Sequence, residues 1–123
     1  MAPISGLVSA PGKGERVIVQ DAQTVGNGVA LAIPPELTHH TFYVRGNGAI
    51  GAGAVTIETA SDANYSGTWA PIVNDLPTPS VNPVVVVASA EVIYRFRGSF
   101  AALRARISTT VTTSTVTVTY VGK

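Results

Sequence analysis

The hexapeptide Gly46-Asn47-Gly48-Ala49-Ile50-Gly51 has the G-x-G-x-x-G spacing that lets a pyrophosphate approach the N-terminus of a following helix, and it comes after the strand-like run His40 to Arg45. The next segment, Ala54-Val55-Thr56-Ile57-Glu58, reads as a strand, so the glycines are expected to form a connection between strands and no cofactor is assigned. Asp62-Ala63-Asn64-Tyr65-Ser66-Gly67 begins like a calcium loop, with oxygen-bearing side chains at alternate positions and glycine in sixth place. Its twelfth position is Val73, which supplies no bidentate carboxylate, so an Asx-rich surface turn is expected instead of an EF-hand.

His39 and His40 are adjacent, so on a strand their rings point to opposite faces and cannot bind one metal ion together. There is no cysteine and no G-x-S-x-G elbow, which leaves a nucleophilic triad without its parts. The seven acids, Glu15, Asp21, Glu36, Glu58, Asp62, Asp75 and Glu91, are scattered over loops and strand edges and read as partners for arginines rather than as an acid–base pair. No catalytic residue is assigned. Arg95, Arg97, Arg104 and Arg106 fall two to a strand on successive strands, and guanidinium forks suit docking onto an acidic protein surface. Trp69, the single tryptophan, is expected to start a strand and plug one end of the core; a sugar-stacking role would need it exposed beside Tyr65.

These residues must be positioned by strands. From Arg16 onward, short runs rich in Val, Ile, Thr, Tyr and Phe alternate with Gly, Pro, Asn and Asp clusters, which predicts strands near 16–20, 28–33, 40–45, 54–59, 68–73, 84–89, 91–97, 102–108 and 114–121. Turns every eight to twelve residues are the pattern of a sandwich or barrel. Alternation predicts which faces are buried: Val92, Tyr94 and Phe96 against Ile93, Arg95 and Arg97; Leu103, Ala105 and Ile107 against Arg104 and Arg106; Val116, Val118 and Tyr120 against the intervening threonines. Helix has little room, the best candidate being Phe100 to Ala105. Residues 1–15, with two prolines and three glycines, read as an extended arm, leaving 16–123 as one domain. Val84, Val85, Val86 and Val87 are apolar on both faces of their strand, so a loop or another subunit must cover the second face.

Composition narrows the partners. The chain is 46% hydrophobic and 12% charged, about half the charge of an average soluble domain at ~25%, which suits a subunit that hides surface in an assembly. A net charge of +1 gives no long-range pull toward nucleic acid or an anionic membrane. No run approaches the ~20 apolar residues of a membrane span, and no leader is visible, so synthesis in the cytosol is expected.

The segments VTIETASDANYSGTWAPIV (55–73) and FAALRARISTTVTTSTVTVTYVG (100–122) resemble small β-sandwich virion proteins of tailed bacteriophages, which carry a Val-Thr-Ile-Glu strand, a Ser-Asp loop with a Gly-x-Trp step, and an arginine-bearing strand before a closing Thr/Val strand. The resemblance covers roughly half the chain and brings no catalytic residues. It fits capsid decoration (cement) proteins, head fibres and tail accessory proteins alike, and implies symmetric binding to a capsid or tail surface, often as a trimer, with the N-terminal arm engaging the lattice. The expectation adopted is a homotrimeric decoration protein that binds the major capsid protein or another virion protein. The expected fold is an all-β, antiparallel, jelly-roll-like sandwich. Ile4, Leu7, Val8 and the valine strip are the expected assembly contacts, and the four arginines a second docking surface. A carbohydrate- or receptor-binding module of a tail fibre, and a tail-tube or connector component, are the alternatives.

Overall fold

A sheet with one apolar face must bury that face, and two such sheets do so against each other. The computed structural model has this arrangement and is described for residues 8–72, 84–85 and 91–123. Its strands are β1 (Val8–Ser9), β2 (Arg16–Gln23), β3 (Ala30–Ala32), β4 (His39–Gly46), β5 (Ala54–Ala60), β6 (Ala70–Pro71), β7 (Val84–Val85), β8 (Glu91–Arg97), β9 (Ala102–Thr109) and β10 (Val116–Gly122). One sheet has the order β1-β3-β9-β5-β6, with β7 also paired to β5, and the other the order β2-β10-β4-β8. The protein is thus a β-sandwich. Pairing is antiparallel except between β1 and β3. No helix among the described residues is long and apolar enough to cross a membrane.

Eight of the nine expected strands have a counterpart, the ninth, 84–89, is described only at Val84–Val85, and Ala102–Thr109 is a strand although the best helical candidate of the sequence overlaps it. The extended chain enters the sandwich before Arg16. Val8 and Ser9 pair with Ala30 and Leu31, Pro11 is buried, and the Gly14 N–H donates to the Gly122 carbonyl at 2.7 Å. Within the expected arm, Val8–Ser9 is therefore a sheet edge. Ile4 and Leu7 lie outside the described residues, as do Val86 and Val87, while Val84 and Val85 pair with Val55 and Ala54 of β5.

Between the sheets, alternate residues of each long strand interdigitate as the period-two pattern requires. Leu31, Val55, Ile57, Leu103, Ala105 and Ile107 from one sheet meet Val19, Phe42, Val44, Tyr94, Phe96, Val116, Val118 and Tyr120 from the other. The aromatic residues gather at one end, where Phe96 contacts the rings of Phe42, Tyr94 and Phe100 at centroid distances of 6.1, 5.6 and 5.2 Å.

A polar side chain of β2 reaches across the core. Gln20 of β2 is fully buried, and its Nε2 donates to the Ala105 carbonyl of the opposite sheet at 2.8 Å and to the Gly26 carbonyl at 3.0 Å. The loop that closes over this point donates from Val29 N–H to the Val19 carbonyl and accepts at Gly26 O from Ile107 N–H, both at 2.9 Å. Residues 26–29 thereby join β2 to β9 across the layers.

Candidate functional site

His40, near the start of β4, faces inward, and its exposed neighbour His39 faces outward, as adjacent strand residues must. The Gly98 carbonyl can only accept, so His40 Nε2 carries the proton and donates to it at 2.9 Å. Nδ1 then accepts from the Tyr120 hydroxyl at 2.7 Å. Phe96 and Phe100 lie against the ring at 5.1 and 5.5 Å. Burial holds the His40 pKa below its ordinary 6.5, against the pull of the Gly98 carbonyl, and His39 lowers it further. This is a structural imidazole with both nitrogens engaged.

A pH dependence arises from that geometry. The unfolded chain takes up a proton at His40 near pH 6.5, whereas the fold resists it, so the contribution is fully present above that value and falls as pH drops toward the folded pKa. The loss is at most about 1.4 kcal/mol per pH unit. Urea midpoints at pH 7.5 and 5.5 should show the acid sample less stable, and His40→Gln should remove most of the difference. An undiminished slope in His40→Gln would assign the acid lability elsewhere.

The four arginines of the sequence pattern separate. Arg104 and Arg106 lie on the outer face of β9, and Arg95 and Arg97 on β8 of the other sheet, on opposite sides of the sandwich. They therefore form two surfaces instead of one. On β9, Arg104 and Arg106 share one carboxylate: Glu58 Oε1 accepts from Arg104 Nε and Oε2 from Arg106 Nε, each at 2.9 Å. The register explains it, because Glu58 is directly opposite Arg104 and Arg106 is opposite Thr56, one diagonal step away. Trp69 stacks on Arg104, with the guanidinium carbon 4.4 Å from the ring centroid, and its Nε1 donates to the Tyr65 carbonyl at 2.9 Å. Trp69 is buried, but on this outer face and apart from the central core cluster, so it does not plug the core end as expected. Glu58 is only 3% exposed, so this cluster is internal structure and offers little to a partner.

The loop at 61–67 is an Asx turn, in which Asp62 Oδ1 accepts from Asn64 N–H at 2.8 Å. The glycine-rich segment 46–51 connects β4 to β5 and is pinned to the 112–115 loop, with Asn47 N–H bonded to the Thr115 carbonyl and Gly51 N–H to that of Thr112. Among the described residues, no three His, Asp or Glu side chains stand close enough to hold a metal ion.

The outer face of the β2-β10-β4-β8 sheet is different. Registered side by side across it are Arg16, Val121, Thr41 and Arg95; then Ile18, Thr119, Tyr43 and Ile93; then Thr117, Arg45 and Glu91. Arg97 stands beside His39, and Lys123 closes that end through reciprocal backbone bonds with His39 at 2.8 Å. The face is hollowed into an open depression of about 610 Å³ lined by Arg16, His39, Tyr43, Arg45, Glu91 and Lys123, among others. It gathers five of the eight Lys and Arg residues of the chain, with Glu91 and the exposed Asp21 of β2 as the carboxylates described on its strands. Ile18 and Ile93 are about half exposed on either side of Tyr43. Sequence reasoning found Arg95 and Arg97 but missed Arg16, Ile18, Tyr43, Arg45 and Lys123. Their alternation in Arg16 to Gln20 and in His39 to Arg45 was readable; that the two segments share a sheet through β10 was not.

The molecule is thus a β-sandwich with one covered outer face and one open, cationic, apolar-centred one. Compared with known proteins, the chain matches no family model, no curated protein and no solved structure.

Proposed function

We propose that this chain is a non-enzymatic structural protein of a tailed-bacteriophage virion, an oligomeric decoration subunit that binds and stabilises the head lattice. The open face of the β2-β10-β4-β8 sheet carries this reading. Arginine and tyrosine around exposed isoleucines are the composition of a protein-docking patch, in which an apolar centre is ringed by charged side chains. The other chemistry-bearing groups are spent inside the fold: His40 on Tyr120 and Gly98, Glu58 on two arginines, Asp62 on its own turn.

The strand order supports a jelly roll as the finer fold. With β1 and β6 set aside and the equally short β7 kept, the sheets run β2-β10-β4-β8 and β3-β9-β5-β7. That order is consistent with the eight-strand, double-Greek-key connectivity of viral capsid domains, and also of lectins and cupins, so it fits the reading without selecting it. The segments that resemble virion proteins fall on β5 with the loop after it, and on β9 with β10. In this reading, the arm expected over residues 1–15 engages a neighbouring subunit, and each bridging subunit adds interface energy that opposes the pressure of packaged DNA. The glycan-binding alternative loses its stacking platform, since Trp69 is buried under Arg104.

Quantitative mass spectrometry of purified phage particles tests the reading, together with light scattering of the free protein at several concentrations. A fixed small ratio to the major capsid protein and a discrete oligomer in solution, expected to be a trimer, are the predicted results. Absence from particles refutes the reading, and open-ended polymers favour a tail-tube component.

A further inference from the structure

We propose that the partner of the open sheet face is an acidic protein surface with an apolar or aromatic centre, and that Ile18, Tyr43 and Ile93 form the contact core while Arg16, Arg45, Arg97 and Lys123 form its charged rim. The partner chemistry deepens the virion reading and rests on it only for where that surface is found.

Charge decides among the possible occupants. A second copy of this chain would bring Arg16, Arg45, Arg97 and Lys123 against the same four cations, a like-charge repulsion that Glu91 and Asp21 offset only in part. Nucleic acid would meet the cations but not the middle of the face, where the registered row is Ile18, Thr119, Tyr43 and Ile93 and a single half-buried tyrosine is the only aromatic. A polyanion gains nothing from burying two isoleucines. A protein surface does, because its apolar centre can cover them while its carboxylates reach the guanidinium forks around the edge. The rim is also held in place for this. Arg45 Nε lies 3.4 Å from Asn47 Oδ1, and Asn47 Nδ2 in turn donates to Thr115 and Thr117 at 3.0 and 2.9 Å. At the other end, backbone bonds of Lys123 with Thr38 and His39 fix the corner between β10 and β4. Side chains already held in place lose little conformational freedom on docking, which suits repeated attachment to a regular lattice.

The direct test uses the full chain and defined polymers. Binding is measured to an immobilised random copolymer of glutamate and tyrosine, and to heparin and duplex DNA, between about 50 and 300 mM salt. Two double variants probe the face, Arg16→Glu/Arg97→Glu for the rim and Ile18→Ser/Ile93→Ser for the centre, with Tyr65→Ser, an exposed residue outside this sheet, as control. All substituted positions are exposed, and unchanged thermal midpoints establish that the variants fold. The expected result is binding to the copolymer that weakens with salt, falls on the order of a hundredfold in the rim variant and at least tenfold in the centre variant, and is untouched by Tyr65→Ser. Equal or tighter binding to heparin or DNA, with the centre variant unaffected, overturns the proposal in favour of a polyanion site. No binding to the copolymer, or a dimer formed through this face, also overturns it. The two readings fail separately: particles that contain the protein but still take up both double variants refute this face, whereas face-dependent copolymer binding by a protein missing from particles refutes the virion assignment.

Discussion

Gly28→Ala should lose about 3–4 kcal/mol of folding stability. Two costs combine. Gly28 has φ of +76°, where an L side chain costs roughly 1–2 kcal/mol. A Cβ at this position would also lie 2.7 Å from the Val19 carbonyl oxygen, 2.8 Å from Gln20 Nε2 and 2.9 Å from the Ala105 carbonyl oxygen. Two of those neighbours are backbone from opposite sheets, so relief requires moving β2 away from β9 and weakening the Gln20 bond that spans the core. Gly14 supplies the control, because its φ is +75° but nothing lies within 4 Å of the added carbon. Gly14→Ala should therefore cost only about 1 kcal/mol. Thermal melts of the two variants separate conformation from crowding: Gly28→Ala should melt roughly 10 °C or more below the parent and Gly14→Ala only a few degrees below. Equal losses would show that the inter-sheet approach at Gly28 is not tight.

Glu58→Ala should cost about 2–3 kcal/mol, the low end for breaking a buried pair because Arg106 is partly exposed. The loss arises less from the attraction forfeited than from leaving Arg104, 14% exposed under Trp69, without its carboxylate. The triple variant Glu58→Leu/Arg104→Met/Arg106→Met is accordingly expected to recover to within about 1 kcal/mol of the parent, since apolar side chains of similar volume need no counter-charge. Denaturant midpoints of the parent, single and triple variants check both statements. A Glu58→Ala protein as stable as the parent would mean that water reaches both guanidinium groups. The triple variant should also leave binding through the opposite face unchanged, because the two outer faces are separated by the full thickness of the sandwich.

The fold class and nearly all strand positions were legible because period-two alternation is a local property. Tyr94 and Phe96 face in while Ile93, Arg95 and Arg97 face out, as their order along β8 requires. The pairing of scattered acids with arginines was also legible in kind, although which acid would serve was not. Glu58 meets Arg104 only through a register between segments forty-six residues apart. Trp69 shows the same limit: a buried tryptophan was foreseeable, but its lying over a guanidinium on an outer face depends on where β6 joins β5.

The sequence by itself determined the outward residues of each strand and the lack of a recognisable catalytic or metal-binding motif. Tertiary structure decided which of those residues share a surface. Successive strands β8 and β9 were expected to place four arginines together, but they belong to different sheets, so the chain crosses the sandwich between Arg97 and Ala102 and sends the pairs to opposite sides. In exchange, β10 inserts between β2 and β4 and brings Arg16, Arg45 and Lys123 onto the face of Arg95 and Arg97. Side-chain direction comes from the two-residue repeat of one strand, whereas strand neighbourhood comes from burying the apolar faces of all of them at once, which no local spacing encodes.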